Sequence, residues 1–189
     1  MAKITLQPAT SLYPVPAVMV SCGNESGEAN IITIAWTGVL CSDPPVVSIG
    51  VRESRHSHAM IADTGEFVVN IPAAAQVKAL DLCGVVSGSD DDKFRLTGLT
   101  AAPAAELEYA PIIEECPINL ECQVIDRLSL GSHDCFVGQI VAVRVDEGWT
   151  DGEGGIRLRP QELIAYARGA YYGLGQALGA HGFAAPGKN

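Results

Sequence analysis

The sequence predicts a mainly β protein, an antiparallel barrel with a few short helices. Six apolar, β-branched runs have the length of strands and are bounded by Gly, Pro, Asn, Asp or Ser; they read PAVMVSC, NIITIAW, PPVVSIGV, EFVVNI, INLECQVID and CFVGQIVAVRV. Helical periodicity is confined to short segments. Long strand–helix–strand units do not occur along the chain, which argues against a doubly wound sheet.

The strands are predicted to pair as antiparallel neighbours. The first two runs are joined by GNESGEA, a connection typical of a hairpin. In INLECQVID, the residues Leu120, Cys122 and Val124 alternate with Glu121 and Gln123. We therefore expect one face of this strand to be buried and the other to lie in water.

Two short helices are predicted between the strands. SRHSHAMIADTG is the first, with Ser54 or Ser57 placed to cap its start and Gly65 to end it. PAAAQVKALDLCG is the second, and its Val77 and Leu80 are expected to face inward.

The last part of the chain is predicted to be neither helical nor disordered. GWTDGEGGIRLRP has the composition of a loop, and QELIAYARGAYYGLGQALG is too rich in glycine for an ordinary helix. The second segment is also too aromatic for a disordered tail. Its tyrosines are therefore expected to pack over something.

Composition indicates one folded domain, residues 1–189, with its core at about residues 13–179. Apolar residues make up 48% of the chain and charged residues 18%, which is enough apolar surface for a core. The net charge is −10, from 12 Lys and Arg against 22 Asp and Glu, which disfavours nucleic acid and anionic membrane as partners. A secretory signal and an apolar run of membrane-spanning length are both missing, so we expect a cytoplasmic protein.

Metal binding is not expected. The cysteines, at positions 22, 41, 83, 116, 122 and 135, are scattered without a C-x-x-C pair, and we expect them to be reduced, buried, small apolar side chains. His56 and His58 are two residues apart, but no third ligand stands at a supporting spacing.

The segment GVRESRHSHAMI, residues 50–61, is a candidate anion site. Arg52, Ser54, Arg55 and Ser57 lie between a strand that ends at Val51 and the start of a short helix. Guanidinium groups, hydroxyls and free backbone N–H groups suit a phosphate. A solvated polar turn explains the same residues, so both interpretations stay open at this point.

Other polar residues have ordinary structural explanations as well. Asn30, Thr33 and Trp36 fit a strand with an aromatic core residue. Lys93 follows three aspartates in what is usually a solvated loop, and His133 stands where a hairpin turn is expected.

Taken in order, however, these pieces resemble the flavin reductase-like family of FMN-binding split barrels, in particular its flavoredoxin-like members. The resemblance runs from about Tyr13 to Gly179. It is carried by N-x-x-T-x-A-W, PPVVSIGVRESRHSHAMI, GEFVVNI, DKF, SHDCFVGQIVAV and AYARGAYYGLGQALG. It implies a six-stranded antiparallel Greek-key split barrel, a homodimer, and FMN bound near the subunit interface.

The resemblance also implies cofactor-binding roles for particular residues. The FMN phosphate would be held by Arg52, Ser54, Arg55 and Ser57. The flavin ring and ribityl chain would be lined by Asn30, Thr33, Ala35 and Trp36, and Tyr166 would cover the ring. Lys93 and His133 would approach from other loops, and they are the candidates for a cation that tunes the flavin.

Three functions are compatible with this resemblance. The first is an electron-transfer flavoprotein that keeps FMN bound and exchanges electrons with a redox partner protein. The second is an NAD(P)H-dependent FMN or ferric reductase, and the third is a β-barrel binding module without flavin. The closing segment YARGAYYGLGQALG favours the first, with tightly bound FMN.

Overall fold

The computed structural model of the protein describes residues 1–185, which contain twelve strands and three α-helices. The strands are β1 (Val15–Pro16), β2 (Val18–Gly23), β3 (Ala29–Ile34), β4 (Thr37–Ser42), β5 (Pro45–Val51), β6 (Glu66–Ile71), β7 (Ala101–Ala102), β8 (Ile112–Ile113), β9 (Ile118–Ser129), β10 (Asp134–Val145), β11 (Ile164–Ala167) and β12 (Ala170–Gly173). The helices are α1 (His56–Thr64), α2 (Val77–Val85) and α3 (Lys93–Thr97).

Seven strands form one antiparallel sheet in the order β3-β2-β6-β9-β10-β5-β4. The two edge strands, β3 and β4, are consecutive in the chain and are separated by only Ala35 and Trp36. The sheet must therefore curl back on itself, yet its edges are not paired with each other, so the barrel is split. We call the gap between β3 and β4 the seam.

The predicted mainly β split barrel is confirmed, with seven strands in the main sheet instead of six. The strand that sequence patterning missed is β4. Five of its six residues, from Gly38 to Ser42, are exposed, so the strand carries no alternation of buried and exposed side chains.

The main core fills the curled sheet. Phe67 and Phe136 are fully buried there, and α1 contributes Met60 and Ile61. Gly138 leaves the space for Phe67, because a Cβ at this position would come within 2.5 Å of the phenyl ring. Burial of this apolar surface is the main force that holds α1 against the barrel.

Helix α1 is confirmed, but its predicted cap is not. Gly65 ends the helix in a left-handed conformation with φ of 69°, as predicted. Arg55 takes the N-cap position and makes no side-chain cap bond. Ser54 lies before the helix, and Ser57 lies inside it with its hydroxyl bonded to Asn30.

Helix α2 starts later than expected, after a short 3-10 turn over Ala74–Gln76. Leu80 is fully buried as predicted, whereas Val77 is half-buried. The segment after residue 160 contains the β11–β12 hairpin, in agreement with the prediction that it is neither a helix nor a disordered tail.

The expected wet face of β9 is wrong at Glu121. Its carboxylate is completely buried and accepts hydrogen bonds from the backbone N–H groups of Ala105 and Glu106. Gln123, two residues on, is exposed as predicted. A loop covers this part of the sheet. Its presence cannot be deduced from the alternation of apolar and polar residues within one strand.

All six cysteines are free thiols. Four are buried as expected, and burial raises the pKa of Cys22 and Cys122 to about 12. Cys41 is exposed because it lies on the edge strand β4, and Cys135 is half-buried.

Residues 1–185 contain neither a membrane-spanning helix nor a metal-binding cluster. They contain no helix that is both long and apolar enough to cross a membrane. They also contain no group of three or more His, Cys, Asp or Glu side chains arranged to hold a metal ion.

Candidate functional site: a cavity at the seam of the barrel

A cavity of about 1360 Å³ opens at the seam. The chain from Ile32 to Gly38, which crosses from β3 to β4, forms one wall. The end of β5 and the turn that follows it form a second wall, and the end of α2 a third. The β9–β10 turn, the β11–β12 hairpin and residues 9–13 complete the enclosure.

Two arginines face this cavity and have no acidic partner among residues 1–185. Arg52 and Arg55 both line the wall, and the Arg55 N–H donates to the Arg52 carbonyl at 3.0 Å, so they share one tight turn. The ion pairs found within residues 1–185 involve other cations. In a chain of net charge −10, two unpaired guanidinium groups on one turn make a local site for an anion.

His133 lies between Arg52 and Trp36. Its ring centroid is 4.4 Å from that of Trp36, and its Nε2 accepts a hydrogen bond from Arg52 Nε at 3.3 Å. Since arginine only donates, the proton must be on Nδ1, which lies 2.9 Å from Ser132 Oγ. Partial burial, followed by the nearby charges of Arg52 and Arg55, lowers the pKa of His133. Both the contact with Arg52 and the lowered pKa favour the neutral imidazole, and the role of His133 as a cation beside the flavin stays a prediction.

Lys93 is buried behind β3 and does not line the cavity. Its Nζ donates to the carbonyl oxygens of Ile31 at 2.7 Å and Cys83 at 2.9 Å. Burial is the main cause that lowers the pKa of Lys93, and the charge of Arg55 adds to it. The ammonium group therefore connects β3 with α2.

Three further predicted site residues lie off the cavity wall. Asn30 and Ser57 are both buried, and Asn30 Nδ2 donates to Ser57 Oγ at 2.8 Å, which connects β3 with α1. Ser54 is exposed at the surface of the turn. The predicted residues that do line the cavity are Thr33, Ala35, Trp36, Arg52, Arg55, His133 and Tyr166.

Tyr171 and Asp81 line the cavity too, although sequence reasoning did not single them out. The Tyr171 hydroxyl donates to Asp81 Oδ1 at 3.1 Å and thereby joins the β11–β12 hairpin to α2. Burial and the neighbouring carboxylate raise the pKa of Tyr171 to about 12, so it stays a donor at neutral pH. The two residues are 90 positions apart, and no local pattern relates them.

Aromatic side chains supply flat surfaces on two sides of the cavity. Trp36 lies at the seam, and the rings of Tyr166 and Tyr171 are 5.6 Å apart on the hairpin. Flat rings on the walls, with two free cations on one turn, suit a planar aromatic ligand that carries an anionic group. The cavity is larger than the range of about 300–1,000 Å³ that is usual for a single small ligand.

Comparison with known proteins gives a consistent result. Residues 10–175 match the family model for the flavin reductase like domain. The structure is similar to flavoredoxin of Desulfovibrio vulgaris (Miyazaki F), with a TM-score of 0.89, 31% sequence identity, and coverage of 97% of this chain and 99% of that chain.

Two other proteins extend the comparison. An FMN-binding protein from Thermus thermophilus, solved with bound 1-cyclohex-2-enone, has a TM-score of 0.79 and 25% identity and covers 95% of this chain and 99% of its own. An uncharacterized protein of Archaeoglobus fulgidus is 31% identical over 148 residues, which span 78% of this chain and 82% of that protein. The curled sheet, the cavity at its seam and the family match agree, and the chain belongs to the flavin reductase-like family.

Proposed function

We propose that the protein binds FMN in the cavity at the seam and works in electron transfer. The observation that carries this proposal is the pair Arg52 and Arg55, free of acidic partners within residues 1–185 and set beside the aromatic wall of Trp36. The likeness to flavoredoxin and to an FMN-binding protein supports the same assignment. Bound FMN would supply the redox chemistry, since its ring accepts a hydride or single electrons.

The two arginines fit the phosphate of FMN. This group is close to a dianion at neutral pH, and two guanidinium groups match its charge. If each charge-assisted bond contributes about 1.5–3 kcal/mol, the pair supplies about half of the roughly 8 kcal/mol that micromolar affinity requires. Contacts of the ring with Trp36 and Tyr166 would supply much of the rest.

The remaining predicted residues have indirect roles in this proposal. Asn30 and Ser57 hold β3 against the first turn of α1, next to Arg55. Lys93 holds β3 against α2 through two carbonyl groups. These contacts support the walls against which the flavin would lie.

A second candidate is an NAD(P)H-dependent FMN or ferric reductase. The volume of about 1360 Å³ favours it, because that space exceeds the usual size of a single-ligand pocket and leaves room for a second molecule beside the flavin. A barrel without flavin is the third possibility, and it predicts that the purified protein does not take up added FMN.

We further propose that two copies form a homodimer. Large apolar side chains are exposed on edge strand β4 and on the β9–β10 hairpin; they are Val39, Leu40, Ile125, Leu128 and Leu130. Such a surface is typical of a subunit interface. Light scattering on a size-exclusion column tests this, and replacement of Leu40 by Asp is expected to convert a dimer into monomers.

The predicted cytoplasmic location stays a prediction, and the six free thiols support it.

The experiment that separates the candidate functions is an anaerobic addition of NADH, and then of NADPH, to the FMN-saturated protein. Bleaching of the visible flavin band by either nucleotide would support the reductase. Retention of the band with both nucleotides, followed by bleaching with dithionite, would support the electron carrier. Failure to bind FMN at all would refute the proposal.

A further inference from the structure

An ionic cluster, built on a buried carboxylate and closed on its outer side by a partly exposed arginine, lies beside the two cavity arginines. Asp134 is completely buried at the start of β10, and its Oδ2 accepts hydrogen bonds from Arg127 Nε at 2.7 Å and from His58 Nε2 at 2.9 Å. Ser129 Oγ donates to the other carboxylate oxygen at 2.8 Å. The ring of Phe136 lies 5.2 Å from the His58 ring and 5.5 Å from the Arg127 guanidinium carbon. We call Asp134, Arg127 and His58 the Asp134 cluster.

The Asp134 cluster is connected to the arginine turn at two points. Asp134 pairs in the sheet with Val51, the residue directly before Arg52. His58 belongs to the first turn of α1, and its backbone N–H donates to the Arg55 carbonyl at 2.9 Å. The backbone of Asp134 is therefore paired with the residue before the turn, and its carboxylate contacts His58, whose helix begins directly after the turn.

This position creates an electrostatic conflict. Asp134 also lines the cavity, and a carboxylate in an apolar environment acts strongly on a neighbouring anion. Without a cation of its own, Asp134 would repel a bound phosphate or draw a guanidinium group away from it. Arg127 resolves the conflict, because its guanidinium group contacts the Asp134 carboxylate through both Nε and Nη2. Arg127 is not among the cavity-lining residues, so its effect on a ligand must be indirect.

We propose that Asp134 and Arg127 determine the preference of the cavity for a flavin with a phosphate: Asp134 positions the arginine turn, and Arg127 neutralises Asp134. This inference rests on the proposed function, since it assumes that the phosphate of FMN lies at Arg52 and Arg55. Both residues are positioning residues, because they act through the arginine turn. The preference is measured as the ratio of the dissociation constants of riboflavin, which has no phosphate, and FMN.

The test is a set of flavin fluorescence titrations at pH 8 with FMN and with riboflavin. Arg127→Met is expected to raise the Kd of FMN by about fivefold or more, from the uncompensated charge, and to leave the Kd of riboflavin within about twofold. The double variant Arg127→Met with Asp134→Asn removes both charges but keeps a side-chain oxygen that accepts the hydrogen bond from His58, so it is expected to restore most of the preference. Arg127→Lys keeps the charge and is expected to keep the preference, even if Arg127→Met folds poorly. Arg144→Met is the matched control, because Arg144 is exposed on the neighbouring strand β10.

The outcomes distinguish a failure of the phosphate assignment from a failure of the inference about Asp134 and Arg127. If the original protein binds FMN and riboflavin equally well, the phosphate assignment fails and the inference fails with it. If the original protein prefers FMN and Arg127→Met keeps that preference, the inference alone is wrong. Equal weakening of both flavins by Arg127→Met, without restoration in the double variant, would show a general structural role and would also overturn it.

Discussion

Replacement of Arg55 by alanine is the most direct test of the phosphate site. Arg55 lines the cavity, and its side chain makes no cap bond to α1, so the change removes a guanidinium group without removing a bond that holds the helix. Loss of one charge-assisted hydrogen bond costs about 1.5–3 kcal/mol, which corresponds to a rise of about 10- to 150-fold in the Kd of FMN. The affinity for riboflavin should change little, because riboflavin carries no phosphate.

The assay is a titration of flavin fluorescence against protein, with thermal unfolding as a check on folding. Arg144→Ala is the control, since it removes an exposed arginine outside the cavity and should leave both Kd values unchanged. An unchanged Kd for FMN in a folded Arg55→Ala variant would refute the phosphate assignment. An equal loss of affinity for FMN and riboflavin would show that Arg55 supports the structure of the cavity but does not contact the phosphate.

Three other results are expected. A thiol reagent should modify half-buried Cys135 slowly in the native protein, and saturating FMN should slow the modification further, because Cys135 lines the cavity; modification of Cys135 at the same rate with and without FMN would contradict this location of the ligand. Lys93→Met should lower the free energy of unfolding by about 3 kcal/mol in denaturant titrations, because two buried carbonyl groups lose their donor; an unchanged midpoint would show that water replaces the ammonium group. Hydrogen bonds from His58, then from Ser129 and Arg127, lower the pKa of Asp134 from about 3.8 to about 2. The stabilisation from this carboxylate is therefore present above pH 4 and is lost as the pH falls towards 2, so acid unfolding of Asp134→Asn should lack this part of the pH dependence.

Local sequence patterns were sufficient to predict most strands of the barrel and the end of α1. The apolar runs identified the six paired strands of the barrel other than β4, and Gly65 marked the end of α1 because only a few residue types tolerate its backbone conformation. The cluster of arginines at 52 and 55 was visible because cations are scarce in this chain.

Long-range contacts were not predictable from such patterns. Glu121 appeared to belong to a wet face, and the loop that buries it is more than ten residues away in sequence. Asn30 and Ser57 have the side-chain chemistry of ligand donors, and in the interior of the protein they are hydrogen-bonded to each other. Whether a polar side chain faces a ligand or a protein neighbour depends on packing, which residue type alone does not determine.

The separation of β3 and β4 also has a consequence for the order of folding. The hairpins β2–β3 and β4–β5 are local and need short chain closures, whereas the pairing of β10 with β5 joins segments more than 80 residues apart. Such distant pairings are slow to form. The cavity takes its walls from both kinds of segment, so we expect it to be completed only when the last strands pair. We therefore expect flavin to bind only the fully folded chain. In a refolding experiment, the rate at which bound flavin appears would then report the rate of the last folding step.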